Sequence, residues 1–355
     1  MGWPSFRNTR RGLANDTLCG TVSSIQPIMQ LILDTKGIQL TKKNQSFFII
    51  SEKGTRTISP AKLTSIAITA NVMLGADAVK LAIKHQLPIL FFDRIGKAAA
   101  RLWSPYFESI ATLRRRQVKF AETVEATAWM VDLFSLKTEG QLATLKWLRG
   151  KRKRSMVVVS QAMKNIKQQN RSFIPFRDQL LDECRNNIMG VEGTIARIYW
   201  QALGNSLPRP YHFQKRSRRP AADIYNAATN YLYGMLYSVV EGALFAVGLD
   251  PYLGLLHTDM HRKPTLAFDL IEPFRPWMDQ LLLEHCLANK IQPAFFSKNQ
   301  YGIFLNKKGK AYIIPLFNGY LRTARVYMGR ETTAKQHIYY LAGQLARRIR
   351  IVGEG

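Results

Sequence analysis

The chain is 355 residues long, 46% hydrophobic and 11% aromatic, enough to bury two cores of ordinary size, which excludes a disordered basic tail. Its 51 Lys and Arg against 24 Asp and Glu leave a formal charge of +27, a field that draws polyanions with an affinity that should fall as salt rises. The excess is not a tail either: residues 1–107 hold 14 basic and 5 acidic side chains, and the remainder 37 and 19. Cys19, Cys184 and Cys286 are widely spaced and form no CxxC pair, against a zinc cluster or disulfide framework. The start of the chain lacks a signal-peptide core, and no run of about 18 apolar residues exists. No lipid anchor or basic amphipathic helix stands out, so a soluble cytoplasmic protein with no membrane partner is expected.

From residue 18 to 103 the pattern is short and strand-like. Residues 27–33 and 47–50 are apolar runs divided by turn material at Asp34–Gly37 and Glu52–Gly54. Residues 61–69 alternate loosely, residues 75–85 read as a short helix, and residues 87–92 as a buried strand. From about residue 106 the period lengthens to that of a helix. Helices are predicted at 106–138, 139–169, 175–204, 222–247, 269–289 and 332–349. The reading is α+β: a small, mainly β domain over 1–105, then a larger all-α domain over 106–355. Two basic blocks, Arg149–Arg154 and Lys215–Arg219, suit either solvated loops or phosphate contacts.

The stretch from Gly254 to Pro276 places His257, Asp269 and Glu272 with Arg262, Lys263 and Arg275 on a short apolar frame. Imidazole and carboxylate together can hold a metal for hydrolytic or phosphoryl-transfer chemistry, and the cations suit a phosphate partner. Asp269 and Glu272, three apart, share one helix face, which Pro273 and Pro276 would bend or restart so as to aim Glu272 inward. Glu192 lies in a largely apolar helix, where a carboxylate needs a partner or a metal. Each has an ordinary alternative. Glu192 could be a surface acid paired with Arg185 or Arg197, His257 a core histidine bonded to backbone, and Asp269 and Glu272 helix N-terminal acids facing the dipole. Asn226, Asn230, Tyr233 and Tyr237 form a polar and aromatic stripe on one helix, suited to a helix interface or to nucleic acid. HExxH, CxxC, Walker and GxSxG signatures are all absent.

Four blocks in sequence order resemble the CRISPR-associated spacer integrase, the universal adaptation nuclease family of prokaryotic CRISPR systems. They are Val191–Tyr199, Asp223–Gly234, Gly248–Pro251 with Gly254–His257, and Leu266–Pro276. A fainter likeness runs through Ile58–Leu63 and Ala76–Gly96, while 104–175 and 321–355 match only in character. The resemblance implies an N-terminal β domain serving dimerisation and DNA contact, a helical catalytic domain and a homodimer. It further implies Mg²⁺ or Mn²⁺ held by Glu192, His257 and Glu272, with Asp269 as a neighbouring acid that orients or supplements this set. The implied reaction joins the 3′-OH of a captured DNA fragment to a CRISPR repeat, alongside a small dimeric adaptation partner. Arg262, Lys263, Arg275, Asn226 and Tyr233 are the candidate nucleic-acid contacts. Two other readings stay open: a hydrolytic structure-selective DNA nuclease that resolves branched DNA with the same residues, and a non-catalytic nucleic-acid-binding protein.

Overall fold

The computed structural model describes residues 29–52, 54–85, 87–92, 98–102, 110–218, 220–257 and 263–352. The chain divides into two compact units, Met1–Ser104 and Pro105–Gly355. The first unit carries β1 (Met29–Leu33), β2 (Gln39–Lys43), β3 (Ser46–Ser51), β4 (Gly54–Ile58), β5 (Leu63–Ile68), β6 (Met73–Leu74), α1 (Ala76–Lys84), β7 (Ile89–Phe92) and β8 (Ala98–Leu102). They form two four-stranded sheets, in the orders β1-β5-β7-β8 and β4-β3-β2-β6. In the first sheet β1, β5 and β7 run parallel, and the middle strand buries Ile66, Ala67 and Ile68 in succession, as a strand covered on both faces does. In the second, β2 and β3 are antiparallel across a tight turn at Asn44, whose φ of 55° suits asparagine. Ala78, Leu81 and Ala82 of α1 fall on one face and are buried in the same core. The sequence reading found β1, β3, β5, β7 and α1. It passed over β2, β4, β6 and β8; β4 is exposed at four of its five positions and so lacks an alternating signal.

The second unit is helical: α2 (Ile110–Ala121), α3 (Val124–Lys151), α4 (Met156–Asn170), α5 (Leu181–Ser206), α6 (Ile224–Ala246), α7 (Thr265–Leu270), α8 (Arg275–Leu287), α9 (Lys307–Arg322) and α10 (Ala334–Val352). Two short antiparallel hairpins are added, β9 (Phe296–Asn299) with β10 (Gly302–Leu305) and β11 (Ala324–Tyr327) with β12 (Arg330–Thr333), so the unit is mainly rather than wholly α. Helix α3 packs against α4, α5 and α8, which buries it on several sides. The predicted helix boundary at 138/139 does not exist. Lys137-Thr138-Glu139-Gly140 resembles a polar break, but Lys137 and Thr138 are buried in mid-helix, and the breaks come at the extended Thr123 and at Arg152. The predicted 269–289 helix is two helices, α7 and α8, separated by a 3₁₀ turn at Glu272–Phe274 that contains Pro273. Helix α9 escaped the sequence reading because Pro315 lies inside it.

Gly140 explains how α3 meets that turn. A Cβ there would stand 3.0 Å from two carbons of the Pro276 ring, so the bare helix face lets the segment carrying Glu272 approach one turn beyond Lys137. Thr144 closes the contact, donating to Gly140 O at 3.0 Å and to Pro276 O at 3.4 Å. Gly140→Val should overpack this contact and destabilise the protein by about 2 kcal/mol. Gly190→Ala, where an added Cβ meets nothing within 4 Å, should stabilise α5 by about 0.5–1 kcal/mol. Denaturant unfolding of the two variants would check both signs.

Candidate active site

Helix α5 builds one wall of the site. Arg185 and Glu192 are seven residues apart and therefore share a face. Arg185 donates to the carbonyls of Leu255, at 2.8 Å, and Leu256. The amides of the same turn point the other way, onto the buried carboxylate of Asp269 in α7: Leu255 N at 2.7 Å, Leu256 N at 3.2 Å and His257 N at 3.2 Å. Gly254 admits this compact path, because a Cβ there would lie 2.2 Å from His257 O. Asp269 also binds His257 Nδ1 at 2.6 Å. One carboxylate thus fixes both the backbone and the ring of His257, leaving Nε2 as the nitrogen with no hydrogen bond among the described residues. Burial pulls the His257 pKa down, but the hydrogen bond to Asp269, its charge and that of Glu272 outweigh burial and raise it above 6.5.

Glu272 projects from the 3₁₀ turn after α7 and is 5% exposed. Its Oε2 lies 2.6 Å from Lys137 Nζ, its Oε1 2.9 Å from Arg275 Nη2, and the same Lys137 ammonium contacts Glu192 Oε1. A single buried cation from α3 therefore bridges carboxylates from α5 and from the α7–α8 turn. Burial alone would push the Glu272 pKa up; Arg275 and Lys137 pull it down to about 2. Beyond the ion pair, Oε2 accepts no hydrogen bond. As they stand, no three His, Cys, Asp or Glu side chains among the described residues are gathered closely enough to enclose an ion. The acids are grouped instead around Lys137 and around His257.

The α6 stripe faces inward. Asn226 is fully buried: its Nδ2 donates to Asp223 Oδ2 and Lys215 O, and its Oδ1 accepts from Arg216 Nη1 and Ser217 N. Asn230 accepts from Arg216 Nη2 at 2.6 Å and donates to Arg218 O at 2.6 Å. These asparagines fasten the basic loop at 215–218 onto α6. The Arg216 guanidinium lies 5.4 Å from the Trp200 ring and 5.5 Å from Tyr233, and Arg275 lies 5.0 Å from Tyr233 and 5.6 Å from Tyr237. Tyr237 meets Phe268, which meets His257, so a continuous cation and ring ladder runs from the loop to the candidate site. Arg275 Nη2 also donates to Tyr237 Oη at 2.6 Å.

Of the predicted nucleic-acid contacts, Asn226, Tyr233 and Arg275 are thus turned into the protein, and their placement gives no support to direct contact with a polyanion. Lys263 is exposed, and Arg262 lies outside the described residues. Glu192, expected to pair with Arg185 or Arg197 if structural, pairs with Lys137. Sequence reasoning missed Lys137, and it named Arg185 and Arg216 without their roles as a clamp on the 255–256 carbonyls and as a partner of Asn226 and Asn230. Lys137 had a signal: it falls on the buried stripe Met130, Leu133, Phe134, Gln141 of α3. Asp279 was missed as well. Buried in α8, it accepts from Tyr199 Oη at 3.0 Å and Tyr233 Oη at 2.6 Å.

A family model described as CRISPR associated protein Cas1 matches residues 31–319, which include every described residue of the candidate site. The chain belongs to the Cas1 family. A CRISPR-associated endonuclease Cas1 of Archaeoglobus fulgidus is 28% identical over 316 residues, 85% of this chain and 91% of that one. A Pyrobaculum aerophilum endonuclease Cas1 is 30% identical over 262 residues, 72% and 81% of the two chains. Among solved structures, a Cas1 protein of Thermotoga maritima aligns with a TM-score of 0.72 at 20% identity, covering 90% of this chain and 97% of that one. A casposase bound to integration product gives 0.71 at 23% identity, covering 91% and 90%. A chain of a Cas6-RT-Cas1–Cas2 complex gives 0.72 at 22% identity, covering 94% of this chain and 36% of that one. These structures establish the Cas1 fold, a strand-rich N-terminal region followed by a helical domain.

Burial raises the Asp279 pKa from 3.8 to about 6, against the two tyrosine hydroxyls that lower it. An acid raised in the folded state contributes stability that is complete below the unfolded value and lost as pH rises through the folded one. The wild type should therefore lose about 2 kcal/mol relative to Asp279→Asn between pH 4 and 7. Glu272, held near 2, titrates below this window. Urea unfolding of both proteins across that range would reveal the divergence; parallel stability curves would contradict it.

Proposed function

We propose that this Cas1-family chain is a divalent-metal-dependent DNA integrase and endonuclease of CRISPR adaptation. It would join the 3′-OH ends of captured DNA fragments into a CRISPR repeat by transesterification. One observation carries the reading: Glu192 and Glu272, from separate elements, converge on one buried cation position, close in the fold to a histidine locked at Nδ1 by Asp269. Isolated carboxylates are not gathered in a protein interior without a positive charge to meet them.

The donor types suit Mg²⁺ or Mn²⁺ once the Lys137 ammonium that stands between the carboxylates gives way. Glu272 Oε2 accepts no hydrogen bond, Glu192 retains 29% side-chain exposure, and His257 has Nε2 left for a ligand. Glu192, Glu272 and His257 would hold the ion, which supplies polarisation of the scissile phosphodiester and stabilisation of the attacking or leaving 3′ oxygen. Asp269 orients His257 and keeps its proton on Nδ1. Arg275 secures Oε1 of Glu272, which leaves Oε2 turned toward the cation position. In the joining step the donor 3′ oxygen bonds to a repeat phosphorus while the existing P–O3′ bond breaks and frees a new 3′-OH. One phosphodiester replaces another, so no nucleotide hydrolysis is required.

The +27 charge favours a polyanion such as DNA, and Lys151, Lys153, Arg154, Lys215, Arg218 and Lys263 are exposed cations suited to its phosphates. A homodimer acting with a small dimeric adaptation partner in a prokaryotic cytoplasm completes the proposal. The likeness to a chain of a Cas6-RT-Cas1–Cas2 complex supports that partner. No helix of the described residues is long and apolar enough to cross a membrane.

The test is strand transfer of a labelled 3′-OH DNA fragment into a supercoiled repeat plasmid with Mn²⁺ or Mg²⁺, with and without the partner. Label should enter the plasmid, vanish with EDTA and be lost in Glu192→Gln. Asp269→Asn should retain joining but lower it by about tenfold to a hundredfold. Free ends without joining would favour the hydrolytic nuclease that resolves branched DNA. Full activity in Glu192→Gln and Glu272→Gln would leave a binding protein whose acids are structural.

A further inference from the structure

We propose that the Lys137 ammonium is a built-in counter-cation: it holds the Glu192 and Glu272 carboxylates together until a divalent cation takes its place, and so sets how tightly that cation binds. The inference rests on the metal reading above and adds a residue to it. Lys137 lies in mid-helix on α3, its side chain 8% exposed, among apolar neighbours. Its ammonium contacts both acids and lies 5.7 Å from the Phe134 ring. Among the described residues its hydrogen-bond and ion-pair partners are the two carboxylates.

Charge balance shows what this arrangement does. With Lys137 in place, Glu192 is matched by the ammonium, and Glu272 is shared between that ammonium and Arg275. Asp269 is matched by His257 and three backbone amides. A divalent ion arriving between Glu192 and Glu272 would meet carboxylates already neutralised and a like charge within ion-pair distance. Binding therefore requires the ammonium to withdraw. Among the described residues the only partner of Glu272 Oε2 is the Lys137 ammonium, at 2.6 Å, so withdrawal of that ammonium frees the oxygen for the metal. Arg275 has no such freedom: its guanidinium is fixed by Tyr237 Oη, Glu272 Oε1 and two rings. The exchangeable cation is Lys137. The pairing also keeps the acids from repelling one another when metal is scarce, as uncompensated buried charges would.

The test is calorimetric titration of Mn²⁺ into metal-stripped full-length wild type, Lys137→Met, Lys137→Gln and Glu192→Gln, with melting curves with and without Mn²⁺. The proposal expects both Lys137 variants to bind Mn²⁺ about tenfold or more tightly than wild type, and to gain a larger rise in Tm on Mn²⁺ addition. If Lys137→Met does not fold without metal, recovery of its melting transition in Mn²⁺ gives the same support, and Lys137→Gln supplies the Kd. A Kd equal to or weaker than wild type in the Lys137 variants, with wild-type binding still lost in Glu192→Gln, overturns the role of Lys137 alone. Wild type and Lys137 variants binding no better than Glu192→Gln would overturn the metal reading, and this inference with it.

Discussion

The compensation of three carboxylates inside one helical unit is the constraint on which the rest of this structure depends. Asp269 and Glu272 are too costly to bury alone, Glu192 stands partly buried beside them, and each is met by a different device. Glu192 shares the Lys137 ammonium with Glu272; Glu272 adds the Arg275 guanidinium; Asp269 takes three backbone amides and an imidazole. These partners come from α3, α5, α7, α8 and the turn at 254–257, so satisfying the charges also fixes where those elements meet. Packing follows the same plan. Gly140 lets the Glu272 turn close on α3, and Arg185 clamps the carbonyls of the turn whose amides Asp269 receives.

Much of the candidate site was legible in the sequence, because a buried cluster of acids and a histidine stands out by residue type. The acids at 269 and 272, the histidine at 257 and the prolines that flank the turn stand in a single short stretch. What spacing could not provide was the partner. Lys137 lies 55 residues from Glu192, and only its place on an apolar helix stripe marks it as unusual. The same limit explains the α6 stripe. Asn226, Asn230 and Tyr233 at helical intervals declare a common face, but not whether that face meets DNA or a folded-back loop. In the structure it meets the loop at 215–218.

Local pattern also failed where tertiary burial overrides it. The polar run at 137–140 reads as a helix break and is the middle of α3; Pro315 reads as a stop and lies within α9. In the N-terminal unit β4, exposed at four of its five positions, went unnoticed, whereas β1 and β7 announced themselves as apolar runs and β5 by a loose alternation. The α+β arrangement was therefore readable from its most buried elements, and membership of the Cas1 family follows from a match over residues 31–319.

The central claim is that the cation position between Glu192 and Glu272 belongs to a divalent metal shared with His257. The most direct measurement is an anomalous difference map from crystals of the protein soaked in Mn²⁺. The account predicts one strong peak bonded to Glu192, Glu272 and Nε2 of His257, with the Lys137 ammonium moved away from the carboxylates. A map with no peak there, and Lys137 still bridging the two acids in saturating Mn²⁺, would contradict it.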